Sequence, residues 1–196
     1  MAYDSAATKE RILTAAAAEF AEHGVAGARV DRIAASARAN KRAIYDYFGD
    51  KGALFAAVLE RLMTELAEAV PPEGRDLGGY AERLFDYHRA HPEALRLLLW
   101  EALELGDSPV PDEAARTAHY QEKVDAAGTA GDPRALTFFT LGLVGWSLAM
   151  PQLRRMILGP DYTEDRLRGA VANAVRALAT PPPTSSDRPP DQPDGT

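Results

Sequence analysis

Along this chain apolar residues return at intervals of three and four rather than in alternation, which is the period of a helix and not of a strand. Ile12, Leu13, Ala16, Ala17 and Phe20 fall on one stripe, so a first helix is expected over residues 5–23, stopped by Gly24. A short second helix is expected over 30–36. A short third begins at Asn40, whose side chain can cap it, and ends at Phe48-Gly49. Asp50 can cap a longer fourth helix over 51–70, closed by Pro71-Pro72. Gly78-Gly79, His91-Pro92, the segments 106–111 and 128–133, Gly159-Pro160 and Thr163 then separate about five more, the penultimate carrying the apolar run 138–153. The expected fold is all-α, with about nine helices and no internal repeat. From residue 180 the sequence TPPPTSSDRPPDQPDGT offers no apolar anchor, and 180–196 is expected to be a disordered Pro-rich tail.

Charge changes the picture at the third helix. The chain has a formal net charge of -7, yet residues 29–51 hold six bases (Arg29, Arg32, Arg38, Lys41, Arg42, Lys51) against three acids (Asp31, Asp46, Asp50), leaving -10 for the remainder. Arg38, Lys41, Arg42 and Tyr45, spaced i, i+3, i+4 and i+7, share one outward face, while Ile44 and Phe48 form an underside that can pack on Ile33 and Phe20. A short helix held from behind, with Asn40, Lys41 and Arg42 at its start, has the form of a helix-turn-helix recognition helix. Arg and Lys can donate to guanine, Asn can read adenine, and a Tyr hydroxyl can reach phosphate or base. Lys51 stands in the first turn of the fourth helix, where the dipole disfavours a cation by about 0.3–1 kcal/mol. A phosphate at that helix start would reverse the balance. Alone, an Asn-Lys-Arg run is most often a solvated helix face; its setting on a short third helix, with an apolar underside, is what points to DNA.

Residues 8–59, with the stretches ILTAAAAEFAEHG, RVDRIA, AIYDYF and GDKGALF, resemble the N-terminal domain of TetR-family transcriptional regulators. The most specific part is Ile44, Tyr45, Tyr47, Phe48, Lys51, Leu54 and Phe55. The resemblance implies an all-helical homodimer with a DNA-binding head over 1–50 and a ligand-binding and dimerisation domain over 51–179. It implies that Lys41, Arg42 and Tyr45 face the major groove, that Tyr47 and Lys51 hold phosphates, and that Ile44 and Phe48 are core. Two positions depart from the family pattern. Arg38 stands where the turn between the second and third helices usually has Gly, and Ala28-Arg29 stands where the second helix usually has a Thr or Ser cap; Arg29 is expected to reach a neighbouring phosphate instead. The implied partner is a palindromic double-stranded operator, repressed until a small-molecule effector arrives.

The second half carries architecture more than chemistry. Phe139, Leu143, Trp146 and Met150 form a bulky stripe, and Phe138, Gly142, Gly145 and Ala149 a neighbouring one that is small at its centre. With Leu167, Val171, Ala174, Val175 and Leu178 of the last helix, the second stripe is expected to form a four-helix dimer interface, which the resemblance also implies. An effector pocket is expected among Met63, Tyr80, Leu84, Tyr87, His88, Leu99, Trp100, Leu103, Trp146 and Met150, a set suited to an apolar or aromatic ligand. No cofactor or metal is expected: there is no Cys, and His88 and His91 lack a partner motif. Neither a nucleophile elbow nor a phosphate loop is present, so an enzyme is the weaker alternative, as is a helical interaction module without DNA binding. The run 138–153 is short of the ~20 residues a span requires, and the N-terminus has no signal-peptide pattern, so a cytoplasmic protein away from membranes is expected.

Overall fold

The computed structural model describes residues 2–72, 76–128 and 131–180; all of the expected tail after Thr180 lies outside the described residues. The chain runs through α1 (Ala2–Gly27), α2 (Val30–Ala37), α3 (Lys41–Phe48), α4 (Lys51–Ala69), α5 (Leu77–Ala90), α6 (Pro92–Leu105), α7 (Glu113–Ala126), α8 (Pro133–Ala149), α9 (Pro151–Leu158) and α10 (Glu164–Ala179). Among the described residues there are ten helices and no strand.

The tenth helix comes from a break inside the long apolar run. Pro151 cannot continue α8 and pushes Met150 out of helical geometry, to φ -116° and ψ 63°, and α9 leaves α8 at 86°. Gly78-Gly79, expected as a separator, lies instead in the first turn of α5, which Asp76 caps by accepting from the Gly79 N–H at 2.8 Å. A Cβ at Gly78 would lie 2.5 Å from the Arg176 side chain of α10, so any larger residue there would displace that arginine. Gly24, expected to stop the first helix, is a kink instead: at φ 68° it turns the chain, and the helix resumes to Gly27.

Two apolar cores share α4. The first gathers α1, α2 and α3 around Phe20, Ile33 and Ile44, with Leu54, Val58 and Leu59 of α4 and with Ala94 and Leu97 of α6. The second gathers Leu66 and Val70 from the end of α4, Leu84 and Phe85 of α5, Val144 of α8, and Val171 and Val175 of α10. Arg168 of α10 clamps Asp86 and Glu82 of α5 at 2.9 Å, and Arg176 adds a 2.6 Å bond to Glu82. Those two guanidiniums, Arg176 foremost, hold the Glu82 carboxyl below its ordinary range despite partial desolvation. No single helix among the described residues is long and apolar enough to cross a membrane; α8 and α9 qualify only as a pair across their bend.

Candidate DNA-binding surface and ligand cleft

The turn entering α3 keeps a left-handed backbone without a glycine. Arg38 lies at φ 51° and ψ 44° as the cap that ends α2, its N–H donating to Ala35 O at 3.2 Å while the Ala39 N–H donates to Ala34 O at 2.9 Å. These closing bonds fix a conformation that costs an ordinary residue about 1–2 kcal/mol. Because α3 starts only at Lys41, Arg38 stands before the helix, and the expected four-residue row on α3 reduces to Lys41, Arg42 and Tyr45. Asn40 caps α3 as expected, accepting from the Arg42 N–H at 2.8 Å. Its carbonyl oxygen thus spends one of its two lone pairs on the cap, and a bidentate reading of adenine has to share that oxygen with it.

Of the outward row, the Arg42 side chain is the freest, 87% exposed with only a 3.8 Å approach to Asp46. Lys41 donates to Asp31 of α2 at 2.8 Å, and that hydrogen bond raises its pKa above the ordinary lysine value. Tyr45 is exposed; Tyr47 donates its hydroxyl to Ser5 Oγ of α1 at 3.1 Å. Ile44 is buried and Phe48 packs partly against the same core, so the underside forms as the spacing predicts.

No side chain caps α2, and Arg29 at its N-cap position is held from elsewhere instead. Glu19 of α1 accepts from the Arg29 N–H at 2.8 Å and from Arg32 Nε at 2.7 Å. Burial alone would push the Glu19 carboxyl up, but the bonds from Arg32 and Arg29 outweigh it and hold it below its ordinary range. Sequence patterns look for partners beside the helix, and Glu19 lies ten positions upstream of Arg29. Lys51 also has an intrachain role: its Nζ lies 3.3 Å from Ala26 O and 3.4 Å from Ala28 O, the carbonyls left open where α1 ends. A phosphate is thus not required to explain a lysine at the start of α4.

The largest cavity described, about 780 Å³, is a cleft between α4 and α7. Ala53, Ala56, Ala57, Met63 and Ala67 form the α4 wall, and Ala115, Arg116 and His119 the α7 wall. Arg116 is held by the buried Glu101 of α6 at 2.6 Å. Of the ten residues expected in a pocket, only Met63 lines this cleft. Tyr80 and Leu84 are core residues, and Leu103 points to solvent, 76% exposed. Trp100 instead joins α6 to α1, donating from Nε1 to Ala21 O at 3.3 Å and lying where a Cβ on Gly24 would be 3.0 Å from its ring. Tyr87 stacks on His91 at 4.6 Å, His88 and Leu99 line a second cavity, and Trp146 and Met150 a third. The expected set fails to converge because large residues on successive turns face different neighbours.

Residues 12–58 match the bacterial regulatory proteins of the tetR family, and residues 76–177 match the tetracyclin repressor-like C-terminal domain. The chain is 46% identical over 187 residues to the HTH-type transcriptional repressor SCO4008 of Streptomyces coelicolor, covering 90% of this chain and 97% of that protein. It belongs to the TetR family of DNA-binding transcriptional regulators. The crystal structure of the transcriptional regulator SCO4942 from S. coelicolor superposes with a TM-score of 0.74 at 36% identity, covering 87% of this chain and 97% of that one. AibR, solved in complex with isovaleryl coenzyme A and operator DNA, shares the fold at 19% identity and a TM-score of 0.61, over 89% of this chain and 99% of its own.

In this TetR-family chain the faces of α8 and α10 divide differently from expectation. Leu167, Val171 and Val175 are buried in the chain's own core against α5, so they are unavailable to a partner. Ala174 and Leu178 remain exposed on α10; on α8 so do Gly142 and Phe138, the latter at 72%. Trp146, expected in the effector pocket, is 58% exposed, whereas Gly145 faces Leu95 of α6 and Ala149 is half-buried. Helical period alone cannot say which of two apolar faces a neighbouring helix covers. Among the described residues no group of three His, Asp or Glu side chains is close enough to hold a metal.

Proposed function

We propose that this regulator is a homodimeric repressor whose operator affinity is set by an effector in the cleft between α4 and α7. One observation carries the reading: α4 belongs to the head at one end and to the cleft along its length. Its first turn is capped by Asp50 and joined to α1 through Lys51, and Leu54, Val58 and Leu59 are packed in the head core. The opposite face of the same helix, from Ala53 to Ala67, walls the cleft. An effector with differential affinity for two positions of α4 would therefore shift the head with it. The alanine and methionine wall suits an apolar or aromatic body.

The head over 1–50 would present Arg42 to base edges, with Lys41 and Tyr45 beside it and Arg38, Tyr47 and Lys51 toward phosphates. Arg29 and Asn40 are assigned first to the fold, through their backbone and cap bonds. Two heads would be joined by the exposed faces of α8 and α10, around Phe138, Gly142, Ala174 and Leu178, and would enter major grooves about 34–36 Å apart on a palindrome. The AibR complex, holding both a ligand and operator DNA, supports the compatibility of this fold with such a switch.

Selection from random duplex DNA tests the proposal, with and without a panel of apolar and aromatic compounds. The expected result is an enriched palindrome that Arg42→Ala alters in base preference. If no sequence is enriched at any salt concentration, the chain is an interaction module and the reading is lost.

A further inference from the structure

A second cavity, about 400 Å³, lies on the body where α5, α6, α8, α9 and α10 meet. Pro92, Leu95 and Leu99 of α6 and Leu148 of α8 give it an apolar floor. Its charged rim is one-sided: Arg89, Arg96 and Arg154 against the single carboxylate Glu164. Arg89 is tied to Asp165 at 3.2 Å and to Asp86 at 3.4 Å, and Arg154 more loosely to Glu164 at 3.5 Å, while Arg96 makes no ion pair among the described residues. The α4–α7 cleft has the opposite balance, with Glu60, Glu68 and Asp112 against an Arg116 already held by Glu101.

His88 closes the inner wall of this second cavity. Only 6% of it is exposed, and its Nδ1 is shut from solvent without a hydrogen-bond partner. A buried polar atom left unpaired costs roughly 1–3 kcal/mol, a cost that a hydrogen-bonding ligand or an ordered water would relieve. The neutral ring offers one N–H donor and one acceptor, and no group of the described structure pairs with Nδ1 in either role.

We propose that this cavity binds an amphipathic monocarboxylate, its chain on Leu95, Leu99 and Leu148 and its carboxylate on Arg96 and Arg154 with the His88 ring. The site is separate from the α4–α7 cleft and gives the regulator a second, oppositely charged input. Its lever is α6: Pro92, Leu95, Arg96 and Leu99 line the cavity, while Ala94 and Leu97 on the other side of the helix pack in the head core. A ligand that favours one position of α6 therefore acts on the head without touching α4's wall.

The test uses the full-length protein and octanoate, with octanamide and octylamine as size-matched controls, read by titration calorimetry and thermal shift. Octanoate should bind and raise the melting temperature, and octanamide should bind roughly tenfold or more weakly, the loss expected when a charge-assisted bond is removed. Arg96→Ala, an exposed change that leaves the fold intact, should weaken octanoate by a similar factor. Met63→Trp, which fills the α4–α7 cleft, should leave octanoate binding unchanged. Equal binding of octanoate and octanamide, no octanoate binding, or loss in Met63→Trp with retention in Arg96→Ala would each overturn the site. Because Met63→Trp removes only the cleft, failure of the carboxylate site and failure of the effector cleft give different patterns.

Discussion

In the head, four helices close on Phe20, whose ring meets Phe55 edge-on at 5.1 Å, and every side chain described as buried there is apolar. In the body, His88, Glu101, Lys123, Thr137 and Thr140 are buried among the same kinds of apolar residue. Lys123 has His119 Nε2 at 2.8 Å and the Tyr120 ring at 5.8 Å, and burial outweighs the pull of Glu122 to hold its pKa below the ordinary lysine value. Buried polar groups without full partners lower stability. The head is thus built to hold one shape while it presents bases to DNA, and the body keeps groups whose satisfaction can change when something binds.

The largest test of this contrast is a pair of aromatic truncations. Phe20→Ala should lower stability by about 3–5 kcal/mol, because a fully buried ring is removed from a core with no polar group to admit water. Trp146→Ala should cost the monomer under about 0.5 kcal/mol, since more than half of the ring already meets solvent. Equal losses in urea melts would mean that head and body do not differ in this way.

Acid separates the two regions next. His88, held by burial first and by neighbouring His91 second, titrates at about 4 in the folded body against an ordinary 6.5. Between those values the unfolded chain takes up a proton that the folded chain refuses, so acid favours unfolding. Stability from this group is whole above pH 6.5 and falls as pH drops toward 4, by roughly 3 kcal/mol at the end of the window. Urea midpoints at pH 7.5 and 5 should converge in His88→Leu, and an undiminished difference in that variant would assign the acid sensitivity elsewhere.

Most of the head was legible because its instructions are local: Asn40 and Asp50 cap the helices they precede, and Ile44 and Phe48 take the period of one short helix. What escaped was joined from a distance, as Glu19 is to Arg29 and Lys51 to Ala26. In the body nearly every decision is of that second kind. The apolar period marks α8 and α10 as helices, but only the arrival of α5 decides that Val171 and Val175 turn inward. Likewise the ten large residues expected to line one pocket were separated by packing that no spacing encodes.

Lys51 tests whether the head's bases serve DNA or the fold. Lys51→Met keeps the stem and removes the ammonium from two carbonyls, so a loss of order 1 kcal/mol is expected, partly offset by relief of about 0.3–1 kcal/mol at the helix dipole. Should the same lysine also reach a phosphate, the slope of log affinity against log salt falls by about 0.9. A lower melting temperature with an unchanged slope would confine Lys51 to the fold.

The smallest effect expected is at Arg38, and its sign differs between stability and binding. At φ 51° an arginine carries about 1–2 kcal/mol of left-handed strain, which Arg38→Gly removes. Glycine returns about 0.5–1 kcal/mol of that through the greater freedom of the unfolded chain. The net gain should be below about 1 kcal/mol, visible as a small rise in the urea midpoint. The side chain is exposed immediately before α3, so its loss should lower the salt slope by about 0.9 and weaken all duplexes alike. Strain kept at the turn into α3 is accounted for if the strained residue contacts DNA. A variant that gains stability and loses no affinity would show that Arg38 contributes nothing there, and a variant that loses stability would assign its side chain to the fold.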